Sequence, residues 1–130
     1  SGFHVVAAVR RPEALAGEKD VEVRRIDLDD AGTVRDAMDG SDAVVMAVGS
    51  GNKILTVYKP TDVYSKCTRV VRSAMREKGI SRLLVLSMVG IEVGPNDPWF
   101  FTTYLRRYLI NTMLDMARME TILQESPDLQ

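Results

Sequence analysis

The chain has 130 residues, of which 45% are hydrophobic and 27% are charged, and its formal net charge is −1. This length and composition fit one domain with an apolar core and exclude a disordered chain, and the small net charge gives no overall attraction for nucleic acid or an acidic membrane surface. The single cysteine excludes an internal disulfide, and no apolar run approaches the roughly 20 residues that span a bilayer.

The first third of the chain predicts two strands and one helix. Residues 5–9 form a continuous apolar run, which is typical of a parallel strand covered on both faces, and residues 21–26 predict a shorter strand. Residues 27–30 are rich in aspartate and supply a turn and helix-capping groups. A short helix follows and ends at Gly40. Its apolar positions at helical spacing are Val34, Ala37 and Met38.

The middle of the chain predicts a third strand and a long helix. Residues 42–48 are typical of another buried strand, and the turn-prone residues 49–52 follow it. Asp62 is the predicted amino cap of the long helix, and Gly79 is its predicted end. The apolar face of this helix carries Val63, Cys67, Val70, Val71 and Ala74.

The last part of the chain predicts a fourth strand, a loop and a final helix. Residues 83–86 predict the strand, and Ser87 lies where the strand stops. Residues 89–98 contain glycine and proline and indicate a loop. The final amphipathic helix stops near Pro127. Its apolar positions are Leu105, Leu109, Met113, Met116, Ile122 and Leu123.

Strands that alternate with helices predict an α/β fold with a doubly wound parallel sheet and helices on both faces. In such sheets the ligand lies beyond the carboxyl ends of the strands, so the residues that close each strand are the candidate site. These residues are Arg10, Arg11, Asp27, Leu28, Val48, Gly49, Ser50 and Ser87.

Five sequence runs carry a resemblance to a known family. They are VVAAVRRPE, RRIDLDD, GSDAVVMAVGS, RLLVLSMVG and DMARMETILQES, and they follow one another over nearly the whole chain. In this order they resemble the atypical short-chain dehydrogenases/reductases, which bind NAD(P)H, and within that group the flavin reductases (NADPH), also called biliverdin-IXβ reductases. The resemblance implies a Rossmann-like fold and a reductase with a small-molecule acceptor, which we expect to be a monomer. The single cysteine and seven methionines favour a cytoplasmic location, and the charge and the apolar runs predict no nucleic-acid or membrane partner.

The chain departs from this family at both ends. The opening strand, the GATGxxG turn and the first helix of the family have no counterpart before residue 5, and relatives continue beyond Gln130 into another strand. We therefore expect residues 1–130 to form a partial, incomplete Rossmann-like domain. Because the glycine-rich turn and the helix after it hold the pyrophosphate, this chain alone is expected to bind the cofactor weakly.

Arg10 and Arg11 point to NADPH as the cofactor. They follow the strand at whose end NAD-selective proteins place an acid for the ribose 2′-hydroxyl. An arginine there suits a 2′-phosphate, because its planar fork makes two charge-assisted hydrogen bonds to phosphate oxygens. The resemblance makes Arg10 the phosphate contact and Arg11 an auxiliary. The alternative is two solvated arginines at a strand end.

The resemblance also assigns the cofactor contacts after the next two strands. It places Asp27 and Leu28 beside the adenine ring, although Asp27 is equally suited to capping a helix. It places Val48, Gly49 and Ser50 under the nicotinamide ribose, where a small residue lets the backbone approach the cofactor. Gly49 is also compatible with a simple turn.

Ser87 is the candidate catalytic residue, because the resemblance places it at the nicotinamide, hydrogen-bonded to the cofactor amide or the acceptor. A strand-end serine bonded to a local backbone group is the alternative. Met88, Val89 and Trp99 follow Ser87 along the chain and are assigned to the substrate side, where an aromatic ring can form a wall for a flat acceptor. Anchoring of this loop to the core is the equal alternative for Trp99. No tyrosine of the sequence is followed four residues later by lysine, which argues against tyrosine as general acid for ketones and favours a flavin or tetrapyrrole acceptor.

Two other interpretations stay open. One is a redox-sensing regulator of the NmrA-like type that binds dinucleotide without turnover, and the other is an inactive fragment of a reductase. Cys67 falls on the apolar face of the long helix and is expected to be a buried structural thiol. We predict no metal site.

Overall fold

A computed structural model describes residues 2–49, 60–87, 98–100, 103–104 and 106–130. Within these residues four strands and three α-helices alternate along the chain, as the sequence predicts. They are β1 Val5–Val9, β2 Val21–Arg25, α1 Ala31–Asp36, β3 Ala43–Met46, α2 Val63–Lys78, β4 Arg82–Val85 and α3 Arg106–Gln124. A 3₁₀ helix over Pro12–Leu15, which the sequence analysis missed, joins β1 to β2.

All strand pairs in the described residues are parallel. β1 pairs with β2 from Val5 opposite Val21 onward. β3 pairs with β4 from Ala43 opposite Arg82 onward. These two pairs form separate two-stranded sheets. The predicted α/β class with parallel strands is therefore confirmed.

The two sheets differ in which of their strand edges are hydrogen-bonded. The outer edge of β4 pairs with the end of the chain, because Gln130 N donates to Ser81 O at 2.8 Å and Leu83 N donates to Gln130 O at 3.1 Å. In the part of the chain that the structure describes, the second edges of β1 and β3 have no strand partner. The parallel sheet is thus interrupted between β1 and β3.

The three helices share one core with one side of the β3–β4 sheet. Val44, Met46 and Val85 point into this core, and Met75 of α2 and Met119 of α3 are almost fully buried in it. On the opposite side of the sheet, which the sequence predicts to be covered, Val45 is 66% exposed and Leu84 is 47% exposed. The difference arises because the described residues contain no helix over that side.

Three of the predicted helix boundaries have different outcomes. Gly79 ends α2 with a φ of 70°, a left-handed conformation that favours glycine, so that prediction is confirmed. α1 ends at Asp36, earlier than predicted, and a turn leads to Gly40 at a φ of 77°. Asp62 is the N-cap residue of α2, which confirms its predicted position, but its side chain makes no capping hydrogen bond.

A residue from α3 caps α2 instead. Asp115 is fully buried and accepts hydrogen bonds from Tyr64 N at 2.8 Å and from Ser65 Oγ at 2.5 Å. The first backbone N–H groups of a helix have no partner within the helix, and a buried one must find an acceptor elsewhere. The start of α2 therefore depends on its packing against α3.

Candidate functional site

The carboxyl ends of β1, β2 and β3 meet the first turns of α2 around one cavity. Its lining includes Arg10 after β1, Leu28 after β2, Val48 and Gly49 after β3, and Cys67 of α2. The volume is about 190 Å³, which is below the roughly 300–1,000 Å³ of pockets that enclose a whole ligand. The cavity therefore has room for one part of a ligand that extends over the strand ends.

Arg10 places at this cavity a positive charge that no other described residue neutralises. Arg10 is exposed and forms no hydrogen bond or ion pair with another described residue. Arg24 on β2 is different, because it donates to the backbone carbonyl of Ala37 at 3.2 Å and holds the end of α1. The guanidinium of Arg10 is thus available to bind an anion, whereas Arg24 has a structural role.

Gly49 lines the cavity without a packing reason to be glycine. A Cβ atom added at Gly49 would meet no atom of the described residues within 4 Å. Its φ is not in the left-handed region either, unlike those of Gly40 and Gly79. Neither crowding nor backbone conformation therefore requires glycine here. Leu28 and Val48 are half-buried beside it and pack on the core.

Three of the predicted strand-end residues, Arg11, Asp27 and Ser87, do not line the cavity. Arg11 is exposed and precedes the 3₁₀ helix, and Asp27 is exposed in the turn after β2. The Asp27 carboxylate accepts a hydrogen bond from Asp29 N at 2.9 Å. Asp30 caps α1 by accepting from Gly32 N at 3.0 Å, so the cap considered for Asp27 belongs to Asp30. The contact of Asp27 with adenine stays a prediction.

Cys67 contributes a neutral thiol to the cavity wall. Burial raises the pKa of the Cys67 thiol to about 11, although the positive charge of Arg10 acts in the opposite direction. A thiol with this pKa is protonated at neutral pH and is a poor nucleophile. Cys67 is only 4% exposed and belongs to the core, in agreement with the predicted structural role.

Ser87 is held by a partner that the sequence analysis missed. Its Oγ donates to Glu120 Oε1 at 2.5 Å, within the range of about 2.5–2.7 Å for strong hydrogen bonds to carboxylates. Glu120 is half-buried on α3, directly after the buried Met119. The two residues are 33 positions apart, so only the packing of α3 beside the end of β4 brings them together. A charged residue next to the apolar face of α3 was the only signal in the sequence.

The predicted substrate-side residues are described only in part. Trp99 is 72% exposed and is not among the residues that line the cavity. Its ring makes edge contacts with Phe100, at a centroid distance of 6.5 Å, and with Tyr104, at 6.2 Å. The predictions for Ser50, Met88 and Val89 fall on positions outside the described residues.

The described residues offer neither a metal site nor a helix that could span a membrane. Residues 2–49, 60–87 and the described positions from 98 onward contain no group of histidine, cysteine, aspartate and glutamate that could hold a metal ion. Separately, none of the helices described is both long and apolar enough to cross a membrane.

Comparison with known families decides the class of ligand. A family model described as NAD(P)H-binding matches residues 1–130. The chain belongs to this NAD(P)H-binding family. A search of curated protein sequences gives no match.

Solved structures share the fold of this NAD(P)H-binding chain at low sequence identity. A short-chain dehydrogenase/reductase from Veillonella parvula has 16% identity and a TM-score of 0.70, over 96% of this chain and 53% of its own. A protein from Burkholderia pseudomallei has 22% identity and a TM-score of 0.67, over 98% and 57%. Triphenylmethane reductase from Citrobacter sp., complexed with NADP(H), has 17% identity and a TM-score of 0.55, over 89% and 35%.

These comparisons establish a Rossmann-like fold, and the chain spans 35% to 57% of the length of these three structures. The cavity residues fit part of a nicotinamide dinucleotide. Arg10 is a cation that no other described residue pairs with and that suits a phosphate, and among the described residues Gly49 leaves space for a sugar or phosphate to approach the backbone. The cavity lies at the strand ends, where open parallel sheets bind such cofactors.

Proposed function

We propose that this chain is part of an NADPH-dependent reductase that transfers a hydride to a flavin or a related conjugated acceptor such as biliverdin. The observation that carries the proposal is the cavity at the ends of β1 and β3, with the uncommitted Arg10 on its wall. An arginine at that strand end favours the 2′-phosphate of NADPH over the free hydroxyl of NADH. A small-molecule acceptor, a monomer and a cytoplasmic location are part of the same proposal.

The acceptor class rests on which groups the sequence offers for proton transfer. No Tyr-x-x-x-Lys pair exists in the sequence, so a ketone would lack its usual proton donor. The reduced dinucleotide supplies two electrons as a hydride, and the conjugated acceptor then takes a proton from solvent. The protein's task is to hold the cofactor and the acceptor close together in the right orientation.

The test of this function is turnover by the full-length gene product that contains this chain. Steady-state oxidation of NADPH should require added FMN, riboflavin or biliverdin, and a simple ketone should give no rate above the background. Tight NADPH binding with no turnover of any conjugated acceptor would favour the redox-sensor alternative. Failure to bind either NADPH or NADH would contradict both the reductase proposal and the redox-sensor alternative.

The choice of cofactor is tested at Arg10. Arg10→Ala should weaken NADPH more than NADH by about 1.5 to 3 kcal/mol, because one charged hydrogen-bond donor to the 2′-phosphate is lost. Arg11→Ala is the matched control, since Arg11 is the next residue and does not line the cavity. It should change the preference much less. Titration of both variants with both dinucleotides measures the difference, and equal losses for NADPH and NADH in Arg10→Ala would contradict the assignment.

The role of Ser87 is tested by separating turnover from binding. Ser87→Ala should lower the turnover of a flavin acceptor and leave the NADPH affinity within a few fold, because the hydroxyl orients the reacting groups and does not hold the phosphates. The kcat values and the dissociation constants are the required measurements. Unchanged turnover with every acceptor tried would return Ser87 to a structural role.

A further inference from the structure

The hydrogen bond between Ser87 and Glu120 fixes the direction in which Ser87 can act. A serine hydroxyl has one proton to donate and two lone pairs that accept, whereas a carboxylate only accepts. At an oxygen-to-oxygen distance of 2.5 Å, Ser87 donates its proton to Glu120. The Ser87 oxygen can therefore accept a further hydrogen bond, but it has no second proton to donate.

The position of Ser87 suits the nicotinamide end of the cofactor. Leu86 N donates to Met46 O at 3.0 Å, so the pairing of β4 with β3 continues up to the residue before Ser87. The end of β3 lines the cavity through Val48 and Gly49. In the proposed function, a dinucleotide with its 2′-phosphate at Arg10 and its chain across the end of β3 would extend beyond the cavity, and its nicotinamide would lie near the end of β4.

We propose that Glu120 is a positioning residue that makes Ser87 a hydrogen-bond acceptor for the N–H₂ group of the nicotinamide carboxamide. This inference rests on the proposed function. Glu120 is suited to the task because it is half-buried on α3 and follows Met119, which the core holds in place. Without Glu120, the Ser87 hydroxyl rotates and donates to the carboxamide oxygen or to the acceptor, so the carboxamide loses its single orientation.

The test compares two dinucleotides in the full-length gene product. NADP⁺ has the carboxamide N–H₂ group, and 3-acetylpyridine adenine dinucleotide phosphate has a methyl group in its place. The wild-type protein should prefer NADP⁺ by about three- to fivefold for the one hydrogen bond. Glu120→Ala should abolish this preference. Glu120→Gln should keep most of it, because the glutamine Oε1 atom still accepts the proton of Ser87.

Controls separate positioning from folding. Glu125→Ala removes an exposed glutamate shortly after the end of α3 and should keep the wild-type preference. Alanine is the strongest helix former, so Glu120→Ala is expected to leave α3 folded, and circular dichroism checks this. Ser87→Ala should lose the preference, and adding Glu120→Ala to it should cause no further loss, because the two residues act through one hydrogen bond.

Different outcomes would overturn the role of Glu120 and the proposed function. Binding of both dinucleotides with no preference in the wild-type protein overturns the role of Glu120, and so does a full preference in Glu120→Ala. Additive losses in the double variant overturn it as well. Failure of the wild-type protein to bind either dinucleotide removes the proposed function, and the role of Glu120 with it.

Discussion

The starts of α1 and α2 look alike in the sequence and differ in the structure. Each helix is preceded by an aspartate, Asp30 or Asp62. Asp30 caps its own helix, because its carboxylate accepts from Gly32 N at 3.0 Å. Asp62 makes no capping bond, and the buried Asp115 of α3 takes its place at α2. The start of α1 therefore takes its side-chain cap from the residue before it, whereas two donors at the start of α2 are satisfied by a residue of α3.

This difference bears on the candidate site because α2 forms part of the cavity wall. Val63 and Cys67, from the first turns of α2, line the cavity. α3 thus reaches the site in two places, through Asp115 at the start of α2 and through Glu120 at Ser87. Changes at Asp115 should affect stability and the cavity together, whereas changes at Asp30 should affect stability alone.

The largest effect is expected for Asp115→Ala. This change removes the acceptor of two buried hydrogen bonds and leaves Tyr64 N and the Ser65 hydroxyl without it. The free energy of unfolding should fall by about 2 to 4 kcal/mol, since two buried hydrogen bonds to a carboxylate are lost. Urea unfolding followed by circular dichroism measures the change, and NADP⁺ affinity should fall as the cavity wall loosens.

Asp115→Asn is the matched control for that prediction. Asparagine keeps the size of the side chain and one oxygen acceptor. Its NH₂ group replaces the second carboxylate oxygen, so one of the two hydrogen bonds is lost and two donors face each other. It should destabilise the protein less than alanine does. An Asp115→Ala variant as stable as the wild-type protein would show that α2 begins without help from α3. It would contradict the proposed difference between the starts of α1 and α2.

The second effect concerns the reactivity of Cys67. A pKa of about 11 in place of 9.0 lowers the thiolate fraction near neutral pH by about 100-fold, and alkylation follows the thiolate. Iodoacetamide should therefore react slowly at neutral pH, and the rate should keep rising with pH up to about 11. Asp115→Ala should speed the reaction by exposing the thiol, and Asp30→Ala should not. A wild-type rate equal to that of a small-molecule thiol would contradict the burial of Cys67.

Particular residues show how much the sequence could predict. The Asp30 cap lies in a predicted capping segment, and Gly79 lies at its predicted helix end, because both features depend on neighbours in the chain. The position of Arg10 at the end of β1 could be predicted for the same reason, because the apolar pattern of the strand is local in the sequence. Asp115 and Glu120 were missed, since their partners are 51 and 33 residues away. No local pattern encodes such contacts, which arise only from the packing of α3.

The smallest effects are expected at the two aspartates that precede the helices, and they test most directly whether each helix start is capped by its own aspartate. Asp30→Ala should cost about 0.5 to 2 kcal/mol of unfolding free energy, because α1 loses the acceptor for Gly32 N. Asp62→Ala should stay within about 0.5 kcal/mol of the wild-type protein, since its side chain caps nothing. Both residues are exposed, so the two changes remove similar charges from similar surroundings. Equal losses in the two variants would mean that a charge near the helix start matters more than the hydrogen bond. A loss at Asp30 alone would confirm that α1 carries its own cap and that α2 takes its cap from α3.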